Sequence, residues 1–259
     1  MPIVLLSDFG TVDGYVGVMK GIIARIAPET PVIDLCHEIS PFDVEQGALI
    51  LAQSHPYFPA GTIFVGVVDP GVGGLRRPIL VKTKDYLFIG PDNGLFSWAL
   101  SDQTIEKIIC LNSGEYFLKE PSHTFHGRDI FAPVAAHLSR GVLPHQMGPE
   151  ISGYEKLKDF TPRVEKKEMV GKVIGIDRFG NGITNFRLSF LQEHCPSLKF
   201  SLQIGKKIVR ELKTHYEEGE AKRPFFLFGS SGLLEISVNQ GSAAKVLGLK
   251  KGDVVKIKL

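Results

Sequence analysis

Hydrophobic and polar positions in the first half of the chain switch repeatedly between two periods. Ile3–Leu6 is a short apolar run closed by Asp8-Phe9-Gly10, and reads as a buried strand. Tyr15, Val18, Met19, Ile22, Ile23 and Ile26 then recur at helical spacing, with Asp13 expected at the N-cap. Val32–Leu35 reads as a strand, and Asp43 as the cap of a helix that turns Val44, Gly47, Ala48 and Leu51 to one side. Thr62–Val68, Ile79–Val81 and Tyr86–Ile89 read as further strands, and Ile130–Leu138 as a helix. This alternation predicts an α/β domain with a mostly parallel sheet covered by helices.

The pattern changes near residue 165. Val164-Glu165-Lys166-Lys167-Glu168 is polar and reads as a linker. Beyond it come short strands separated by turn residues: Lys172–Ile176, Ile183–Phe186, Phe200–Ile204, Ile208–Leu212, Phe225–Phe228, Leu233–Val238 and Val254–Leu259. Only Ser242–Leu247 has a helical pattern. The spacing suggests a small antiparallel barrel or sandwich. Two domains are therefore expected, residues 1–163 and 164–259, with no internal repeat.

Composition narrows the function. Thirty Lys+Arg against 28 Asp+Glu leave +2 over 259 residues, too little to neutralise a run of phosphates, so no nucleic-acid partner is expected. Gly 28 and Pro 16 exceed the usual share of about 12% and favour turns and ligand-shaped loops over a helical bundle. Cys36, Cys110 and Cys195 form neither a CxxC pair nor an even disulfide set, which fits a reducing cytoplasm. The start, MPIVLLSDFG, has no basic flank and reaches Asp8 too early for a signal peptide. The uncharged stretch 46–68 is broken by His55, Pro56 and Pro59, so no membrane span is expected.

Common motifs are absent. After Gly71 and Gly73, a GxGxxG loop requires Gly at 76, where Arg stands. There is no GxxxxGK[ST], no HExxH and no GxSxG. Individual candidates each have a bland reading beside a chemical one. Asp8 ends the first strand, where a carboxylate can accept two hydrogen bonds from a vicinal diol such as ribose, or serve a turn. Asp69 ends another strand, and Arg76 either folds back onto it or makes a surface ion pair. His126, before a helix, suits proton transfer or a structural role. Asp177–Gly182 is either a hairpin turn or a site in which Asp177 takes an ammonium and Asn181 a base edge. Gly229-Ser230-Ser231-Gly232 is either a polar turn or a loop for a small carboxylate. Phe42 is a core or a stacking side chain.

Six motifs occur in order: Ser7-Asp8-Phe9-Gly10, Val68–Gly73, Gly90-Pro91-Asp92-Asn93-Gly94, Phe125–Asp129, Asp177–Asn181 and Gly229–Gly232. Together they resemble the S-adenosyl-L-methionine hydroxide adenosyltransferases, relatives of the fluorinase and chlorinase, nearly end to end. The resemblance implies an α/β N-terminal domain and a smaller all-β C-terminal barrel. It implies a homotrimer with active sites between subunits, and hydrolysis of S-adenosyl-L-methionine to adenosine and L-methionine without metal or cofactor. Asp69, Arg76 and His126 match the water-activating residues and Asp8 the ribose-binding one. Asp177, Asn181 and Ser230 match positions for the methionine amine, the adenine edge and the methionine carboxylate, with backbone near Val238 completing the adenine contacts and Phe42 at the stacking position. Asp69 stands where the halogenating relatives carry Tyr, and Gly127 where the fluorinase has a halide-binding Ser, so a halide is disfavoured. Ser231 replaces an Arg of the fluorinase. The rival readings are a metal-dependent phosphoesterase built on Asp8, Asp69, Asp92, His126 and Asp129, and a non-catalytic module that binds a nucleoside.

Overall fold

The structure is a computed structural model that describes residues 1–157, 161–165 and 168–258. The chain divides into two compact units, Met1–Leu157 and Lys158–Leu259.

The first unit runs β1 (Ile3–Ser7), α1 (Tyr15–Ile26), β2 (Val32–Cys36), α2 (Val44–Ser54), β3 (Ile63–Val67), β4 (Pro78–Thr83), β5 (Leu87–Pro91), β6 (Ile105–Cys110) and α3 (Ala132–Ser139). Its sheet has the order β2-β1-β3-β5-β4-β6. β1 is parallel to β2 and β3, and β3 to β5, whereas β4 is antiparallel to both its neighbours. The sheet is thus mixed, with its parallel part at the β2–β5 side. β1 and β3 are buried along their whole length, as strands covered on both faces must be. Ile3, Leu5, Val65 and Val67 pack with residues of α1 and α3 on one face, and Val4, Leu6 and Phe64 with Leu51 of α2 on the other. Because β2 and β3 flank β1 on opposite sides, the chain reverses its direction of winding between β1 and β3. A crevice opens beyond the carboxyl ends of strands at such a point.

Three sequence expectations need correction here. α1 begins after Gly14, with no side-chain cap, so Asp13 lies one position too early to serve. Its buried face is Val16, Met19, Ile22 and Ile23, while Tyr15 and Val18 are exposed. The expected strands omit β6, because Glu106 and Lys107 interrupt its apolar run at the sheet's edge. Asp43 does cap α2, accepting from the Gln46 N–H at 2.9 Å.

The second unit runs β7 (Arg163–Glu165), β8 (Glu168–Ile176), β9 (Gly182–Arg187), α4 (Leu188–His194), β10 (Ser201–Ile204), β11 (Lys207–Val209), β12 (Pro224–Phe228), β13 (Leu233–Val238), α5 (Ala243–Leu247) and β14 (Val254–Lys258). The strands form an antiparallel path β11-β10-β14-β8-β9-β13-β12, with β7 added on β8. Leu212, just past β11, bridges to Phe226 in β12 and nearly closes the path into a barrel. Val173, Phe186, Leu202, Phe226, Leu234, Ile236 and Val255 fill its core. The segment expected as a linker contains strand instead: Val164 pairs with Met169 and Glu165 with Glu168. β7 is an exposed edge strand, and the charges that protect an edge from further pairing give it the composition of a linker. Lys166, Lys167 and Leu259 lie outside the described residues. α4 was not expected; it buries only Leu191 and so has little apolar periodicity.

Candidate active site

Two loops leave the carboxyl ends of β1 and β3, where Ser7 and Val67 are paired in register. Asp8 follows Ser7, and Asp69 follows Val67 by two residues. The β1 loop is held from beneath. The buried Ser7 hydroxyl donates to His37 Nδ1 at 2.7 Å, and His37 Nε2–H donates to Asp34 at 3.0 Å. The Gly10 N–H donates to the His37 carbonyl at 2.7 Å. This Ser–His–Asp series anchors the loop; Ser7 is 1% exposed and has no access to a substrate. Asp8 accepts the Phe42 N–H at 2.8 Å. Phe42 adopts φ +68°, strained for a bulky residue, and that conformation turns its N–H toward Asp8. Its ring is 70% exposed, which removes the core alternative.

The β3 loop closes on itself through Val72 N–H to the Asp69 carbonyl and Gly74 N–H to the Gly71 carbonyl. Gly73 has φ +74°, and a Cβ there would lie 2.2 Å from the His123 carbonyl oxygen, so no other residue fits. The turn returns Arg76 onto Asp69. Arg76 Nε donates to Asp69 Oδ1 at 3.0 Å and Nη2 to Oδ2, a two-pronged pair whose side chains are 9% and 5% exposed. The pair is therefore not a surface one. Arg76 Nη2 also donates to His126 Nδ1 at 2.7 Å. Its guanidinium lies 5.6 Å from the Phe131 ring centroid.

His126 stands at the start of a single π-turn, Gly127–Phe131, that leads into α3. Burial pushes its pKa below the ordinary histidine value, and the Arg76 charge pushes further, against Asp69 and Asp129. A neutral imidazole that accepts at Nδ1 carries its hydrogen on Nε2. The trio thus consists of an anion, a cation and a neutral ring with an N–H to offer.

Asp8, Phe42, Asp69 and His126 line one cavity of about 370 Å³. Phe9, Tyr15 and Phe125 complete its wall with centroids 5.1–5.6 Å apart, Phe125 meeting the other two rings edge-to-face and Phe9 tilted against Tyr15. The sequence did not reveal this wall, because Tyr15 fits the helical stripe of α1 and looks like core.

The other predicted residues line a cavity of about 630 Å³ in the second unit: Asp177, Asn181, Ser230 and Val238, with Phe179, Tyr216 and Glu235. Asp177–Asn181 is both a hairpin turn between β8 and β9 and part of that wall. Asp177 Oδ1 accepts the N–H groups of Phe179 and Asn181, and Oδ2 accepts the Asn181 side-chain amide at 2.8 Å. Ser230 sits in the tight turn joining β12 to β13, which Gly229 and Gly232 close. Tyr216 and Glu235 were not singled out from sequence; Glu235 reads there as an ordinary member of an apolar strand.

The phosphoesterase constellation does not gather. Asp92 is held by Arg77 and the Glu155 N–H, and Asp129 by Ser122 and Arg128. Among the described residues no three His, Cys, Asp or Glu side chains are placed to share a metal ion.

The architecture defines a two-part protein: an α/β unit with a polar trio at its strand ends, and a β-barrel-like unit with a second cavity. Residues 3–148 match the SAM hydroxide adenosyltransferase N-terminal domain, and residues 171–256 the C-terminal domain of the same family. The chain is 38% identical to a protein of Thermus thermophilus named (R)-S-adenosyl-L-methionine hydrolase, over 99% of both chains. It is 37% identical to one of the same name from Methanocaldococcus jannaschii, over 98% of this chain and 95% of that one. A solved structure, described as an uncharacterized conserved protein from Thermotoga maritima, superposes with a TM-score of 0.93 at 37% identity, covering 99% of this chain and all of the other. The chain belongs to the SAM hydroxide adenosyltransferase family.

Proposed function

We propose that the protein hydrolyses (R)-S-adenosyl-L-methionine to adenosine and L-methionine by in-line attack of water on the ribose C5′. The observation that carries this reading is the Asp69–Arg76–His126 trio, whose Asp69 and His126 line the same cavity as Asp8 while Arg76 joins them from behind. Asp8 takes the ribose diol and Phe42 stacks on the base. The relatives' printed activity supports the same substrate.

A sulfonium leaves as a neutral thioether, so the difficulty lies with the nucleophile. Bulk water has a pKa of about 15.7, and free hydroxide at pH 7 costs roughly 12 kcal/mol. One neighbouring cation shifts a pKa by about 1–3 units and cannot cover that. Deprotonation is therefore late. His126 Nε2–H donates to the water oxygen, and Asp69, fixed by Arg76, accepts one of its hydrogens. A lone pair of that oxygen forms the C5′–O bond, the C5′–S electron pair stays on sulfur, and the proton passes toward Asp69 as the bond forms. Arg76 keeps the Asp69 carboxylate aimed at the water, and alignment opposite sulfur supplies much of the rest.

Asn181, Ser230, Val238 and Asp177 hold the adenine edge and the amino-acid end. Each cavity has only part of what such a substrate needs. The assembly we propose is a homotrimer in which the first cavity of one copy and the second cavity of its neighbour enclose one molecule. Among the described residues no helix is long and apolar enough to cross a membrane. Three unpaired cysteines suit a cytoplasmic setting.

Incubation of the purified protein with S-adenosyl-L-methionine tests the reading: equimolar adenosine and L-methionine are expected, with turnover unchanged by a chelator. Binding of the substrate without methionine release would leave only a non-catalytic module. Chelator-sensitive turnover restored by a divalent ion would favour metal-dependent hydrolysis.

A further inference from the structure

One buried carboxylate that this mechanism leaves idle is Glu235. It lies in β13, is 8% exposed, and lines the second cavity. Oε2 accepts the Tyr216 hydroxyl at 2.9 Å, while Oε1 has no hydrogen-bond partner among the described residues. The unused oxygen is open to the cavity, where an incoming cation or donor can complete it. The position of Oε1 is informative. A Cβ on Gly229 would lie 1.8 Å from it, so the oxygen rests against the backbone immediately before Ser230. An α-amino acid carries its ammonium and carboxylate on one carbon, so their receptors must be neighbours. Oε1 beside the Gly229–Ser230 turn meets that condition. Asp177, by contrast, already spends its carboxylate on three N–H donors of its own turn.

Resting on the proposed hydrolysis, we infer that Glu235 is a further specificity-determining residue, whose free oxygen receives the ammonium of the substrate's amino-acid end. Asp177 builds the turn that presents Asn181 and flanks the same amino-acid end. Burial and the Asp177 charge push the Glu235 carboxyl above its ordinary value, while the Tyr216 hydroxyl pulls it down. Tyr216 is itself pushed up to about 12, chiefly by burial, and remains a donor across the working range. Tyr216 and Asp177 are the titratable groups that act on Glu235. As pH falls and Glu235 gains a proton, the ammonium loses its counter-charge and KM rises.

Glu235→Gln tests this. Its KM for S-adenosyl-L-methionine should rise on the order of tenfold or more, the loss of one charge-assisted contact, with kcat changed by no more than about threefold. Product inhibition gives the sharper readout. The parent protein should bind L-methionine more tightly than 4-(methylthio)butanoate, which lacks the amine, and Glu235→Gln should lose that preference while keeping its adenosine affinity. A second variant, Tyr216→Phe, keeps the carboxylate and removes the hydrogen bond that lowers its pKa. It should retain the preference for methionine and move the acid rise of KM to higher pH. Unchanged KM and methionine preference in Glu235→Gln, or an equal loss of adenosine affinity, overturns the assignment to the ammonium. A parent protein that releases no methionine from S-adenosyl-L-methionine overturns instead the hydrolysis on which the assignment rests.

Discussion

At the scale of single residues, the proposed chemistry turns on the state of His126. Because Arg76 donates to its Nδ1, protonation of the ring breaks that contact and replaces it with repulsion between two cations. The expected outcome is a kcat profile flat near neutral pH that falls only as pH drops through the lowered His126 pKa, below 6.5. Asp69→Asn, Arg76→Met and His126→Ala should each reduce kcat by about 10²-fold or more, with adenosine affinity within a few-fold by calorimetry. Near-parental turnover in any of the three removes that residue from the mechanism. Gly127 gives a separate check. A Cβ there would lie 3.1 Å from Met19 Sδ and 3.3 Å from the Phe125 ring. Gly127→Ser should lower stability by about 1–3 kcal/mol in urea, the cost of crowding a packed site. The fold-back of Arg76 onto Asp69 was legible in the sequence as one of two options, because seven residues and three glycines permit it. Burial decided between them. Glu235 was not legible, since strand alternation alone does not say which polar residue faces a cavity.

Among elements, the order of strands matters more than their boundaries. Asp8 and Asp69 meet because β1 and β3 are parallel neighbours in register, although more than fifty residues separate them. The sequence announced both strands through unbroken apolar runs, yet it held nothing about their adjacency. Polar edges account for the differences: adjacent Glu106 and Lys107 break the apolar run of β6, and the charged ends of β7 give it the composition of a linker. Caps behaved more simply. Asp43→Ala removes one bond to the first turn of α2 and should cost about 1 kcal/mol in urea unfolding, with kcat unaltered. Larger loss of activity than of stability would mean that α2 steers the neighbouring Phe42 and, through it, Asp8.

For the molecule as a whole, His55, His126 and His137 are all held below the ordinary histidine value, chiefly by burial. The unfolded chain then takes up protons near pH 6.5 before the folded one does. Stability is complete above pH 6.5 and falls as pH drops through the lowered values, so the melting temperature should decline between pH 7 and pH 5. The proposed sharing of active sites between copies makes a further prediction. Asp69→Asn and Asn181→Ala, each weak alone, should recover part of the parental activity when co-expressed, because some sites would then draw an intact cavity from each chain. No recovery, despite mixed oligomers by mass, would place both cavities of a site in one chain.

The central claim is that water attacks carbon. Turnover of S-adenosyl-L-methionine in heavy-oxygen water, followed by mass analysis of the adenosine, reads this directly. Heavy oxygen at the 5′ position of every adenosine formed is the expected result; adenosine carrying none would contradict the account.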